Sequence, residues 1–210
     1  MLPDDEPRIE LGHGGGGRLS QQLISELLLP AFGQEAGGPH DAAVLSPPVG
    51  RLAFTTDSYV VRPLVFPGGD IGRLAVYGSV NDLAMAGAQP LALSLALILE
   101  EGLPFRLLRQ VIASIQEAAE RCGVAVVTGD TKVVERGRGD GLYINTSAVG
   151  RLAHGLVIHP ASVRPGDAVL VSGDLGRHGL AILAAREELG LRTVLESDLA
   201  PLLEPVEALL

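Results

Sequence analysis

Apolar residues recur at helical spacing in three stretches of the chain. They predict a helix that begins at Leu19 and ends near Pro30, a second over residues 71–86 and a third over residues 105–121. The third has an apolar face made of Leu108, Val111, Ile112, Ile115, Ala118 and Ala119. Asp70 is placed to accept hydrogen bonds from the first-turn amides of the second helix. Gly123 follows the third helix as a C-terminal stop.

Shorter apolar stretches predict β-strands between these helices. The predicted strands cover residues 42–45, 51–56, 91–99, 124–127 and 142–151. The hydrophilic run from Glu135 to Asp140 is expected to be the loop between the last two. The helix over residues 71–86 is rich in small residues, so we expect neighbouring backbones to approach it closely at the centre of the fold.

The segment Arg164-Pro165-Gly166-Asp167 predicts a domain boundary. After it, the pattern predicts a strand over residues 168–171, a helix that begins at His178 and ends at Leu189, and a last helix over residues 199–210. About 40 residues are fewer than a domain usually needs to fold alone. We therefore expect an N-terminal domain over residues 1–165, while residues 166–210 are the beginning of a second domain that the chain leaves unfinished.

Composition excludes several classes of function. The net charge is −9, and only 3% of residues are aromatic, so the chain has neither a basic stripe nor many stacking platforms for nucleic acid. The longest apolar run, residues 91–99, is too short to span a membrane, which needs about 20 residues. The acidic N-terminus lacks the apolar core of a signal peptide, so the expected location is the cytoplasm. Cys122 is the only cysteine and is expected to be a small buried apolar residue.

Four aspartates stand beside small or hydroxyl-bearing neighbours: Asp41, Asp57, Asp82 and Asp130. Asp57 and Asp130 are each expected to follow a strand, Asp41 to precede one, and Asp82 to lie beside Asn81 within a helix. Mg²⁺ prefers oxygen ligands and usually takes one or two carboxylates plus phosphate oxygens. We predict that the four carboxylates converge on Mg²⁺ bound to a polyphosphate. The alternative is that each is an ordinary turn or capping residue.

A glycine run at residues 14–17 follows His13. Amides without side chains can approach an anion closely, so the run predicts a phosphate-binding lid, with His13 as a further donor. A flexible tail is the alternative.

Lys132 follows Asp130 and Thr131 and could neutralise phosphate charge, or it could be a solvated surface charge. The P-loop motif is absent, so these features indicate ATP chemistry without a P-loop.

Several segments together resemble the family of the hydrogenase expression/formation protein HypE. They are His13–Gly16, Thr55–Ser58, Phe66–Gly72, Val80–Met85, Leu99–Gly102, Gly129–Val134, Gly176–Gly179 and Ser197–Leu202. The resemblance covers almost the entire chain in order. It implies an α+β N-terminal domain with a mixed sheet and helices packed on one face. It also implies a homodimer formed through the strands of this domain, with ATP near the interface, and then the start of a second α/β domain.

The resemblance also implies an activity. In the HypE family, HypF carbamoylates a C-terminal cysteine, ATP drives dehydration of the thiocarbamate to a thiocyanate, and the cyano group passes to iron held by HypC–HypD for nickel–iron hydrogenase. By matching segments, Lys132 and His178 are the expected catalytic residues. The expected ligands of Mg-ATP are Gly14, Gly15, Gly16, Asp41, Asp57, Asn81, Asp82, Asp130 and Thr131.

The sequence departs from the HypE family in one respect. The family's reactive cysteine lies at the end of a full second domain, and this chain has no such residue before it stops at Leu210. We therefore expect the chain to bind nucleotide and dimerise without completing the dehydration. Two alternatives stay open: a small-molecule kinase or synthetase of the same superfamily, such as thiamine monophosphate kinase, and a dimerising scaffold that only docks partners.

Overall fold

A four-stranded mixed β-sheet organises the chain. The structure is a computed structural model and describes residues 7–32, 50–187 and 195–210. The sheet strands are β1 (Arg51–Tyr59), β4 (Ala88–Glu100), β5 (Ala125–Val134) and β6 (Leu142–Leu152), and a short hairpin is formed by β2 (Val65–Phe66) and β3 (Gly69–Asp70). The sheet order is β1-β6-β4-β5. β6 is antiparallel to both β1 and β4, whereas β5 runs parallel to β4.

The helices follow the predicted order. They are α1 (Arg18–Leu23), a π-helical turn (Ile24–Leu28), α2 (Leu29–Phe32), α3 (Ile71–Met85), α4 (Phe105–Cys122), α5 (Arg177–Glu187) and α6 (Leu203–Glu207), with 3₁₀ turns at Leu11–Gly14 and Pro160–Ser162. Across the described ranges, no helix combines the length and apolar character that a membrane crossing requires.

Local chemistry explains where the two long helices begin and end. One Asp70 carboxylate oxygen accepts a hydrogen bond from the Arg73 amide at 2.9 Å, and the other accepts one from the Ser114 hydroxyl of α4 at 2.5 Å. Asp70 therefore caps α3, as predicted, and also ties it to α4. Gly123 ends α4 with φ +62°, a left-handed conformation that favours glycine. At Gly72 a Cβ atom would lie 2.6 Å from the Val111 carbonyl oxygen, so the two helices pack closely.

Helices cover one face of the sheet and leave the other open. The β4 residues Leu93, Leu95, Leu97 and Leu99 alternate toward the covered face and are at most 4% exposed. Ser94, Ala96 and Ile98 point the other way. On β1 the open face carries Leu52 and Phe54, which are 49% and 69% exposed. The predicted architecture, a mixed sheet with helices packed on one face, is confirmed.

Two predictions for the second half of the chain are wrong. Residues 168–171 form no strand, and Val169 and Leu170 are 87% and 88% exposed. A strand needs a partner for its amides and carbonyls, and none of residues 7–32, 50–187 and 195–210 supplies one. The last helix is only α6, because the backbone of residues 197–202 bonds to Pro67 and Asn81 instead of continuing a helix. The predicted strand over residues 42–45 lies outside the described residues.

Candidate functional site

Asp57 and Asp82 lie on the covered side of the sheet, at the β1 edge. Asp82 belongs to α3, and its Oδ2 accepts a hydrogen bond from the Thr55 hydroxyl at 2.8 Å. Asp57 follows Thr55 by two residues on the same side of β1, a rise of roughly 7 Å. Both aspartates are exposed. Each therefore offers oxygen atoms to solvent from a position fixed by regular structure.

A chain of three buried hydroxyl groups lies directly behind Asp57. The Tyr59 hydroxyl is 3.2 Å from Ser79 Oγ, which is 2.5 Å from Thr146 Oγ1. Tyr59 is 7% exposed, and Ser79 and Thr146 are fully buried. Burial raises the pKa of Tyr59 to about 12, and the charge of Asp57 and a hydrogen bond to its carboxylate raise it too, against the lowering effect of Ser79 and Thr146. The phenol therefore stays protonated at neutral pH.

Asp130 and Lys132 lie on the opposite, open face of the sheet. Lys132 Nζ is 3.2 Å from Asp130 Oδ1, and their side chains are 63% and 62% exposed. Asp130 pairs with Ala96 of β4, and β6 then separates β4 from β1, so Asp130 lies about 14 Å from β1 across the sheet. An exposed pair of this kind contributes little to stability. Both charges remain accessible to a ligand or a partner.

The expected positions of two aspartates relative to the strands were wrong. Asp57 and Asp130 were predicted to follow strands, yet they lie inside β1 and β5. Gly129 directly precedes Asp130, and glycine is common in turns. The true reason for this glycine is close packing, because a Cβ atom there would lie 2.3 Å from the Leu95 carbonyl oxygen of β4. β5 therefore continues through a sequence with turn chemistry because its pairing with β4 holds it.

The described residues place two of the four predicted aspartates on the same side of the sheet. Within residues 7–32, 50–187 and 195–210, no group of three or more histidine, cysteine, aspartate or glutamate side chains could hold a metal ion. Asp57 and Asp82 share one side of the sheet, Asp130 lies on the other, and Asp41 lies outside the described residues. Two exposed carboxylates do suit Mg²⁺ when phosphate oxygens complete its ligands. The convergence of all four aspartates stays a prediction.

The glycine run lies at the β5 edge of the sheet. A Cβ atom at Gly14 would lie 2.4 Å from the backbone nitrogen of Val133, so Gly14 packs directly on β5. Gly15 and Gly16 are exposed, and Gly16 has φ +75°. His13 is only 7% exposed, its Nδ1 bonds the Glu10 backbone and its ring meets Phe105 edge-on at 5.2 Å. His13 therefore packs inward, which does not support its expected role as a phosphate donor.

A cavity of about 650 Å³ lies between α3, residues 171–178 and residues 197–202. Asn81 lines it and holds its wall: the side-chain amide donates to the Ala200 carbonyl at 3.0 Å, and its oxygen accepts from the Leu202 amide at 2.8 Å. His178 also lines the cavity, with Nδ1 2.9 Å from Ser197 Oγ. Lys132 lies on the open face of the sheet, whereas His178 lies beside α3 on the covered side. Within one chain, the two predicted catalytic residues are therefore not in contact.

Sequence reasoning missed Thr55, Tyr59, Ser79 and Thr146. The available signal was Ser79 within the apolar stretch of α3, because a buried hydroxyl there needs a partner. Cys122, in contrast, was predicted correctly. It is 6% exposed, and burial raises the pKa of its thiol to about 11, so it is no candidate nucleophile.

Comparisons with known proteins agree with this architecture. The model for the AIR synthase related protein, N-terminal domain, matches residues 39–152. Carbamoyl dehydratase HypE of Cupriavidus necator is 50% identical over 205 residues, which are 97% of this chain and 58% of that protein. A crystal structure of the hydrogenase maturation protein HypE in complex with ATP is 48% identical with a TM-score of 0.88, covering 95% of this chain and 60% of that one. A HypE–HypF complex structure matches at 49% identity and a TM-score of 0.74, covering 89% of this chain and 61% of that one.

The chain thus spans about three fifths of the length of these relatives. A thiamine-monophosphate kinase structure from Stenotrophomonas maltophilia is more distant, at 25% identity with a TM-score of 0.56, covering 97% of this chain and 61% of that one. The resemblance to HypE that the sequence segments indicated is confirmed by these similarities. Because the family model matches more than half of its residues, the chain belongs to the AIR synthase related protein family.

Proposed function

We propose that this chain is the nucleotide-binding part of a carbamoyl dehydratase of the HypE type and that it binds Mg-ATP. The observation that carries the proposal is the pair of exposed carboxylates, Asp57 and Asp82, on one side of the sheet beside the Thr55 hydroxyl. Two carboxylates plus phosphate oxygens are a common ligand set for Mg²⁺. The similarity to carbamoyl dehydratases, and to a HypE solved with ATP, supports the same function.

The proposed reaction converts a thiocarbamate, –S–CO–NH₂, and ATP into a thiocyanate, –S–C≡N, with ADP and phosphate. An amide oxygen is a poor leaving group, and phosphorylation makes it a good one. The protein's task is therefore to position the groups and neutralise their charge. Bound Mg²⁺ would supply part of that neutralisation. We assign Lys132 to the phosphates and His178 to the neighbourhood of the carbamoyl group.

The remaining predicted residues belong to the same proposal. Asp41 and Asp130 would join the two clustered carboxylates at Mg²⁺, and the nucleotide would contact Gly14, Gly15, Gly16, Asn81 and Thr131. We also keep the proposed division into residues 1–165 and 166–210. Cys122 does not fit the role of the carbamoylated cysteine, because it is buried in the core.

A homodimer would reconcile the two separated groups of charges. In one chain, Asp130 and Lys132 lie on the open face of β5, whereas Asp57 and Asp82 lie near β1 on the covered side. We propose that two copies pair through the strands of the open face, so that the nucleotide site lies near the interface and draws on both chains. The exposure of Phe54 on that face supports this pairing, since a large apolar side chain gains from burial.

The proposed partners follow from the chemistry. HypF would supply the carbamoyl group, and a HypC–HypD complex would accept the cyano group. The similarity to the HypE of a HypE–HypF complex supports the first of these. The expected location, the cytoplasm, also remains part of the proposal. The kinase alternative is less favoured, because the thiamine-monophosphate kinase similarity has half the sequence identity of the HypE similarity.

Isothermal titration calorimetry with Mg-ATP tests the central claim. We expect the unaltered chain to bind, and Asp57→Asn and Asp82→Asn each to weaken binding by about tenfold or more, equivalent to about 1.4 kcal/mol. Asp140→Asn is the matched control, because Asp140 is an aspartate in the β5–β6 loop that bonds the Tyr143 hydroxyl instead. Failure of the unaltered chain to bind Mg-ATP would overturn the proposal and favour a docking scaffold.

A further inference from the structure

We propose that Tyr59 is a positioning residue for Asp57: with Ser79 and Thr146 it forms a buried chain of hydroxyls that orients the Asp57 carboxylate for the divalent cation of a nucleotide. The inference rests on the proposed function and deepens it, because it assigns a supporting role to three residues that do not touch the ligand. It depends on the geometry behind Asp57.

The three hydroxyls form one continuous buried path beside Asp57. Tyr59 ends β1 two residues after Asp57, on the same side of the sheet. Its hydroxyl meets Ser79 of α3, and Ser79 meets Thr146 of β6. Thr146 is also the residue that pairs with Asp57 in the β1–β6 register. The path therefore starts beside Asp57 and ends on the strand position directly across from it.

Each of the two hydroxyl–hydroxyl bonds can run in either direction. An ionised carboxylate only accepts, so in the proposed arrangement the Tyr59 hydroxyl donates its single proton to Asp57. The Tyr59 oxygen then accepts from Ser79, and Ser79 accepts from Thr146. In this arrangement all three donors point toward the negative charge. Such alignment strengthens each bond through polarisation and selects one orientation of the carboxylate.

Packing keeps the tyrosine ring in place. A Cβ atom at Gly78 would lie 2.3 Å from the Tyr59 hydroxyl, so only glycine leaves room for the ring there. Backbone contacts hold Asp57 from the other side: Asn145 donates to the Asp57 carbonyl at 2.9 Å, and the Ser58 amide donates to Asp57 Oδ1 at 2.8 Å. The Asp57 carboxylate is thus exposed to solvent, while hydrogen bonds from Asn145 and Ser58 hold its backbone and one carboxylate oxygen.

This arrangement is what a cation site requires of its surroundings. Carboxylates that bind metals are themselves hydrogen-bonded, and loss of such an outer partner typically costs about 10–100-fold in metal affinity. Asp82 has a different support, because its bond comes from the hydroxyl of the half-buried Thr55. Among the two clustered aspartates, Asp57 is therefore the one whose orientation depends on the protein core.

The test is a titration of the full chain with Mg²⁺ at a fixed concentration of a fluorescent ATP analogue. The fluorescence reports how much of the analogue is bound at each Mg²⁺ concentration. We expect Tyr59→Phe to raise the Mg²⁺ concentration at half-saturation by about tenfold or more. Tyr77→Phe is the matched control, because Tyr77 is also buried, at 2% exposed, and lies on the same helix as Ser79. A double variant with Asp57→Asn adds a second readout: the Tyr59→Phe effect should vanish when the carboxylate is absent.

The outcomes distinguish failure of the proposed function from failure of the inference about Tyr59. If the unaltered chain shows no Mg²⁺-dependent binding, the proposed function fails and this inference fails with it. If the unaltered chain binds but Tyr59→Phe leaves the Mg²⁺ midpoint unchanged, or adds the same loss to Asp57→Asn, this inference alone is overturned. Ser79→Ala interrupts the same path without altering the ring. Should Tyr59→Phe not fold, an unchanged Mg²⁺ midpoint in Ser79→Ala overturns the inference.

Discussion

The covered and open faces of the sheet carry the same strands and behave as two different surfaces. On the covered face, Leu93 and Leu99 are completely buried, and the polar groups of Tyr59, Ser79 and Thr146 are bonded to one another. On the open face, alternate residues of the same strands expose Phe54 and the Asp130–Lys132 pair. The difference shows that one face stabilises the fold of a single chain, while the other remains available for a partner.

The difference also divides the candidate site. Asp57 and Asp82 belong to the face on which α3 packs. Asp130 and Lys132 belong to the open face, where both side chains are exposed and pair with each other. A ligand that needs both groups therefore requires either a second chain or a path around the edge of the sheet.

Truncation of a buried leucine should show that the covered face carries the stability of the fold. Leu93→Ala is expected to lower the free energy of unfolding by about 2–5 kcal/mol, because Leu93 is completely buried. Leu52→Ala is the matched control on the open face, where the side chain is 49% exposed, and it should change far less. Urea denaturation at a concentration that keeps the chain monomeric measures both. Equal losses of unfolding free energy in the two variants would contradict the proposed difference between the covered and open faces.

Thiol reactivity should show how completely the helices seal the covered face. The pKa of Cys122 rises from 9.0 to about 11, so at pH 8 the folded protein holds about 100-fold less thiolate than an ordinary cysteine. Iodoacetamide should label native Cys122 at least that much more slowly than the urea-unfolded chain. Because the raised pKa favours the protonated thiol in the fold, this stabilisation is complete below about pH 9 and is lost as the pH rises through 11. Equal labelling rates would show that α4 opens readily.

A charge on the open face should weaken the proposed homodimer. Phe54→Glu is expected to raise the dissociation constant by at least thirtyfold, about 2 kcal/mol, because an unpaired carboxylate would be buried. Val163→Glu is the control, since Val163 is 70% exposed, like Phe54, but lies outside the sheet. Sedimentation velocity over a range of concentrations gives the constants. An unaffected dimer in Phe54→Glu would place the interface elsewhere.

The smallest predicted effect concerns the carboxylate on the open face. Asp130→Asn should weaken Mg-ATP binding about tenfold, roughly 1.4 kcal/mol, and leave the fold intact because Asp130 is exposed. Calorimetry measures the affinity, and thermal denaturation checks the fold. Unchanged affinity would remove Asp130 from the nucleotide site and leave only the covered-side carboxylates.

The sequence predicted the architecture better than it predicted the site. Helix α3 begins after a capping aspartate and α4 ends at a glycine, so local chemistry was sufficient for both. At Asp130 local chemistry pointed to a turn, and only the pairing of β5 with β4 kept the residue inside a strand. The face on which each aspartate lies depends on strand register, which a single sequence does not reveal. The role of Tyr59 depends on contacts from α3 and β6, which are distant along the chain.

The Asn81 side chain bonds the backbone of Ala200 and Leu202, so binding of a nucleotide at Asn81 is coupled to the packing of this segment. A ligand that takes either end of this amide competes with the docking of residues 200–202, so the two equilibria oppose each other. The Leu202 amide then acts as a natural reporter. Its rate of hydrogen exchange would rise on addition of ATP and fall again on removal of ATP, without any label in the protein.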